Sequence, residues 1–213
     1  MNEAFFAKCV ILVEGETEEL ALPEYLRAAG LDCDMRGVSV VAVEGKSQIP
    51  KYWRLFTAFG VPLLVLFDND DDGTDAKGKN KDKRKSNNNL AECFDIPLER
   101  ILHQQPWIEI ESARLPKTPL VILGKDFEAA VRADLDYNFI DLDYSSLEQE
   151  AKAVIKPTSP GQGKGLVARY VARRLIASEP GYCPEFAKRI ATFVNHHLGF
   201  IGPEDYQTDA IPF

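Results

Sequence analysis

Four carboxylates stand where two apolar runs end. Glu14 closes Cys9-Val10-Ile11-Leu12-Val13 and Glu18 follows it by four residues, while Asp68 closes Val61 to Phe67 and is followed by Asp70. Both runs read as buried strands. In an open parallel sheet, ligands gather outside the carboxyl ends of the strands. If these two strands are neighbours the four acids converge, and like charges within about 4–6 Å disfavour joint ionisation. A hard divalent cation with oxygen ligands, Mg2+ or Mn2+, resolves that repulsion. Any one of these acids alone reads as a solvated loop residue; their joint placement at two strand ends is what points to a metal centre.

Other motifs fail on inspection. Gly45-Lys46-Ser47 follows a strand and opens a helix as a P-loop does, but the earlier Gly that motif requires is replaced by Val40. Gly163-Lys164 fails because Gly165 stands where Ser or Thr is needed. Asp68-Asn69-Asp70-Asp71-Asp72-Gly73 opens like a calcium hand, yet its twelfth position is Lys79 rather than Glu. Neither P-loop ATP hydrolysis nor an EF-hand is expected.

The elements that must position the acids read as strand and helix in alternation. After Cys9 to Val13 comes a helix over about 17–29 stopped by Gly30, then a strand over Val38 to Val43. A helix over about 47–59 ends at Gly60, and the strand Val61 to Phe67 follows. This order with apolar strands predicts an α/β fold, a parallel sheet flanked by helices. Residues 68–89, with the basic run 77–85, read as a solvated loop. A short helix and then a strand over about Trp107 to Glu111 close the sheet near residue 115. The remainder reads as mainly helical, with an amphipathic helix over about 164–177, another over about 184–197, and a tail from Pro203. The expected domains are therefore 1–115 and 116–213.

The chain has 213 residues, 45% hydrophobic and 27% charged, an ordinary globular balance that excludes disorder and collagen-like repeats. The longest apolar run is far shorter than the roughly 20 residues a bilayer requires. The N-terminus lacks the pattern of a secretory signal. Four cysteines without a Cys-x-x-Cys pair and three histidines speak against a zinc cluster or a disulfide framework, so a soluble protein of the reducing cytoplasm, with no membrane partner, is expected. A net charge of −8 argues against a protein that simply coats nucleic acid, but not against an enzyme acting on it.

Ile11-Leu12-Val13-Glu14-Gly15-Glu16-Thr17-Glu18, followed by Leu64-Val65-Leu66-Phe67-Asp68-Asn69-Asp70, resembles the Toprim domain, the metal-dependent domain of topoisomerases, bacterial primases and several nucleases. It is most similar to the OLD (overcoming lysogenization defect) family of nucleases, which carry a second acid four residues after the Glu. Gly124-Lys125-Asp126-Phe127-Glu128-Ala129-Ala130-Val131 looks like that family's later acidic motif, and Gly163-Lys164-Gly165-Leu166-Val167-Ala168 like its helix with an essential Lys. The resemblance covers about residues 5–175. It implies a C-terminal nuclease region, with the helical part contributing to the active site, and an ATPase domain that would precede it. The run-in Asn2-Glu3-Ala4-Phe5-Phe6 favours a fragment of such a protein over a compact stand-alone member.

On this reading Glu14, Glu18, Asp68, Asp70 and Glu128 hold two Mg2+ or Mn2+ ions, with Asp68 bridging and Glu14 alternatively a general base. Lys164 contacts the phosphate or stabilises transition-state charge; the plainer reading is a surface lysine at a helix start. Asp71 and Asp72 read as outer or solvated acids, and Asp126 as a lesser candidate for metal support. Either the basic run 77–85 or Arg169, Arg173 and Arg174 would track a phosphate backbone. The expected function is a DNA nuclease without strong sequence preference. An RNA-processing Toprim nuclease or primase and a non-catalytic Toprim module binding DNA or a protein are the rivals; a topoisomerase lacks room for its tyrosine domain.

Overall fold

The computed structural model describes residues 2–70, 80–156 and 162–199. Asp71, Asp72, the start of the basic run through Lys79 and the tail from Pro203 lie outside them. Strands β1 (Cys9–Val13), β2 (Val38–Ala42), β3 (Leu63–Asp68), β4 (Trp107–Glu111) and β5 (Pro119–Leu123) form one sheet in the order β2-β1-β3-β5-β4. All pairings are parallel except β4 with β5, so the sheet is mixed and dominated by parallel strands. The helices are α1 (Glu16–Ala28), the short α2 (Cys33–Arg36), α3 (Ile49–Ala58), α4 (Asn80–Phe94) and the short α5 (Leu98–Ile101). After β5 come α6 (Phe127–Tyr137), α7 (Tyr144–Val154), α8 (Gln162–Ser178) and α9 (Glu185–His197).

Fully apolar strands need cover on both faces, because successive side chains point to opposite sides. Cys9, Ile11 and Val13 of β1, with Leu64 and Leu66 of β3, face a core shared with α1, α6, α8 and α9. Val10 and Leu12, with Val65 and Phe67, face a second core built with α3 and α4. The helices beyond β5 thus belong to the same core as the first helix rather than to a separate one.

Three sequence expectations change here. The sheet does not close near residue 115: Pro119–Leu123 inserts beside β3 and leaves β4 as an antiparallel edge strand. A short apolar run between Pro and Gly is equally compatible with a buried helix, which is why periodicity alone passes over it. Residues 80–89, expected as loop, are the first turns of α4, because Leu90, Ala91, Cys93 and Phe94 bury against the sheet and carry the polar turns with them. Arg169 and Arg173 of α8 are bound to Glu24 of α1 at 2.7 and 2.8 Å, and Arg174 to Glu150 at 3.5 Å, so their charges join helices instead of forming a free basic face.

The α1–α8 contact sets where Lys164 lies. Gly165 sits so close to α1 that a Cβ there would stand 2.6 Å from the Glu16 carbonyl oxygen and 2.8 Å from Leu20 Cδ1. Glycine inside a helix normally weakens it by about 1 kcal/mol relative to alanine, and the close approach explains why it is there. Gly165→Ala should therefore lower the unfolding free energy by about 1–3 kcal/mol through overpacking, despite better helix propensity. Urea unfolding measures this, and a variant at least as stable as the parent would contradict the contact.

Candidate metal centre

β1 and β3 lie side by side in the register Val10↔Leu63, Ile11↔Leu64 and Leu12↔Val65. β2 pairs on the other flank of β1, so the chain reverses its direction of sheet growth between β1 and β3. That reversal opens a crevice at the carboxyl ends of the strands, the place where open α/β sheets bind ligands. Glu14 follows β1 directly and Asp68 is the last residue of β3. The Asn69 N–H donates to the Leu123 carbonyl at 2.7 Å, and the Gly45 N–H donates to the Glu14 carbonyl at 2.9 Å. Turns after β3 and β2 are thereby tied to the same crevice.

Glu18 arrives from the first turn of α1. Its Oε2 accepts from the Gly15 N–H at 3.0 Å, the acidic half of a capping box, so the residue that starts the helix is also aimed at the crevice. Glu128 sits in the first turn of α6, whose cap is Asp126: its Oδ1 accepts from the Ala129 N–H at 2.7 Å. Asp126 thus orients the helix that carries Glu128. Lys164 is exposed in the first turn of α8.

The electrostatics are those of crowded, partly desolvated acids. Glu14 Oε2 and Asp68 Oδ1 are buried with no hydrogen-bond partner. Burial pushes Asp68 well above the ordinary carboxylate range, with Glu18, Glu14 and Asp70 adding to the effect and Lys46 opposing it. Burial likewise raises Glu18 to about 7, against its backbone hydrogen bonds and with help from Glu14 and Glu128. Glu14 is raised by burial and by Asp70, and held back by Lys46. Burial and Asp126 raise Glu128, which Lys164 draws down. Among the described residues, no three His, Cys, Asp or Glu side chains are gathered tightly enough to hold an ion as they stand.

A cleft of about 950 Å³ is bordered by Glu18, Asp68, Asp70 and Glu128. The same cleft carries the cations Lys125, Arg132, Lys152 and Lys164. Arg132 lies over the Tyr144 ring at 4.4 Å and bonds Glu148 at 3.3 Å. Glu14 faces a smaller groove of about 370 Å³ with Glu44 and Gly45, and Lys164 borders both spaces. All six residues singled out in the sequence therefore lie at this end of the sheet, divided between two adjoining depressions.

Lys46 was passed over in the sequence as part of a failed P-loop. It is 5% exposed, and its ammonium lies 3.1 Å from Asp70 Oδ2. The available signal was its position: a lysine just after β2, at the same sheet end as the carboxylates.

Residues 5–70 match the family model described as "Overcoming lysogenization defect protein-like, TOPRIM domain". A protein of Escherichia coli (strain K12), named Uncharacterized protein YbjD, is 27% identical over 137 residues, 60% of this chain; the chain covers 24% of that protein's length. Two solved structures share the fold at 17% identity. The C-terminal region of the Burkholderia pseudomallei OLD protein superposes with a TM-score of 0.55, covering 91% of this chain and 99% of that one. The C-terminal region of the Xanthomonas campestris pv. campestris OLD protein gives 0.57, covering 92% and 97%. Residues 5–70 thus match the OLD-like Toprim domain model, and the chain shares the fold of the OLD C-terminal regions.

Proposed function

We propose that this chain is a metal-dependent nuclease that hydrolyses phosphodiester bonds in DNA. The observation that carries the reading is the pair of buried, unpartnered carboxylate oxygens, Glu14 Oε2 and Asp68 Oδ1, at the sheet's switch point. Leaving such atoms without partners is costly unless a ligand completes them. An all-oxygen donor set suits Mg2+ or Mn2+. Two such ions bound there would supply Lewis-acid charge relief for attack on a phosphate.

The chain's own residues then have distinct tasks. Asp68 would be the ligand common to both ions, and Glu14, Glu18, Asp70 and Glu128 would supply the remaining oxygen donors. Glu14 is also placed to act as general base, and burial holds its carboxyl above the ordinary carboxylate range. Lys164 meets the phosphate from the start of α8. Lys125 offers the backbone of a nucleic acid a cationic contact along the cleft, where Arg132 and Lys152 share the carboxylate of Glu148. An ATPase domain, implied by the OLD resemblance, belongs to the same proposal as a partner.

Incubation with supercoiled plasmid and Mg2+ or Mn2+ should give nicked or degraded DNA, abolished by EDTA and by Asp68→Ala. Lys164→Ala should slow cleavage about 10²-fold while leaving metal binding in place. Matched RNA distinguishes the RNA-processing rival. Metal binding without cleavage of either substrate would point to a missing ATPase partner, and neither binding nor cleavage would favour a non-catalytic Toprim module.

The acid cluster also makes a pH signature. A carboxyl whose folded-state pKa is raised binds its proton more tightly in the native protein, so its stabilising contribution is present at low pH and lost as pH rises through the folded value. For Glu18 that window ends at about 7, and the other raised acids act in the same direction. Without added metal, the cluster's contribution to Tm should fall between about pH 5 and 8. Mn2+ should raise Tm more at pH 8 than at pH 5.5, and Asp68→Asn should flatten both trends. A Mn2+ shift independent of pH in thermal scans would contradict metal binding by these acids.

A further inference from the structure

Lys46 is a buried cation, 5% exposed, that the proposed chemistry does not use. Its three ammonium protons have three acceptors in reach: the Asn69 carbonyl at 3.1 Å, Asn87 Oδ1 at 3.2 Å and Asp70 Oδ2 at 3.1 Å. That is the full donor capacity of a lysine. Asn69 and Asn87 are 0% exposed. The Asn87 amide nitrogen donates to the Asn69 carbonyl at 2.9 Å, and the Asn69 amide nitrogen to the His103 carbonyl at 3.0 Å. A satisfied polar cluster therefore encloses the two residues that follow Asp68. Asp70 itself holds φ 59°, a left-handed conformation costing about 1 kcal/mol or more outside glycine unless its surroundings enforce it.

A buried ammonium costs several kcal/mol of desolvation unless geometry and hydrogen bonding repay it, so an ordinary apolar residue would fill this position more cheaply. What only a cation on this stem does is grip a carbonyl, an amide and a carboxylate at once. We infer that Lys46 is a positioning residue for the metal centre: with Asn87 of α4 it clamps the turn after β3 and holds Asp70 in place to serve as a ligand. The inference rests on the reading of this site as a metal centre. It also makes α4 part of the site's support, since Asn87 enters the cluster from that helix.

The clamp and a plain electrostatic effect have opposite signs. Removing a positive charge close to a cation site tightens binding, whereas removing a support that orients a ligand weakens it, by about 10–100-fold for outer partners of metal ligands. Calorimetric Mn2+ titration of the full chain therefore decides. Lys46→Met should weaken binding about tenfold or more. Asn87→Ala, which keeps the ammonium, should weaken it by a smaller factor. In an Asp70→Ala background, Lys46→Met should have little further effect, because the clamp acts through Asp70; a merely structural role would cost the same in both backgrounds. Equal or tighter Mn2+ binding by Lys46→Met, or unchanged binding by Asn87→Ala, overturns the inference. Should Lys46→Met not fold, the Asn87→Ala titration decides alone. Absence of Mn2+ binding by the parent chain would defeat the metal-centre reading and this inference with it, while normal binding in parent and variants defeats only the inference.

Discussion

Negative charge gathered at the ends of two adjacent parallel strands is the constraint around which the rest of the molecule is arranged. Asp68 ends β3 inside the crevice that the chain opens by growing the sheet first to one side of β1 and then to the other. Its neighbours are acids, and its inner oxygen has no hydrogen-bond partner. Such a group is tolerable only where something offsets it. Lys46 does so from within the fold, and a bound cation would do so from outside. The turns after β1, β2 and β3 all carry residues of this cluster, which is why the site depends on the sheet's topology rather than on any one loop.

The helices beyond the sheet are drawn in by the same requirement. Glu128 reaches the cleft only because α6 starts there, and α6 starts there because Asp126 caps it. Lys164 reaches it because α8 lies against α1 closely enough to demand glycine at 165, and because Arg169 and Arg173 fasten α8 to Glu24. A common apolar core joins α1, α6, α8 and α9 to one face of the sheet. The later residues of the chain are thus structurally continuous with the sheet, and the shared core is what places Glu128 and Lys164 at its end.

Legibility in the sequence followed locality. β1, β2, β3 and β4 could be read to within a residue or two, because each is an apolar or alternating run bounded by glycine, proline or acids. α1, α8 and α9 were legible from their spacing. β5 and the helical form of residues 80–89 were not. The first is too short for periodicity to distinguish strand from helix, and the second owes its helicity to the four buried residues of α4 that follow it. The ion pairs of the α8 arginines with Glu24 and Glu150 were not legible either, because composition shows charge but not its partner.

The sequence by itself determined the chemistry on offer: acids placed directly after apolar runs, oxygen donors suited to a hard divalent cation, and an α/β order that brings strand ends to one edge. Those features are local, since a residue's type and its distance from a strand end do not depend on the rest of the fold. Tertiary structure decided that β3 lies beside β1, that Glu14 faces one depression and Glu18 another, and that Lys46 is buried among Asn69, Asp70 and Asn87. These are relations between segments distant in the chain, and burial and charge pairing exist only once those segments have packed.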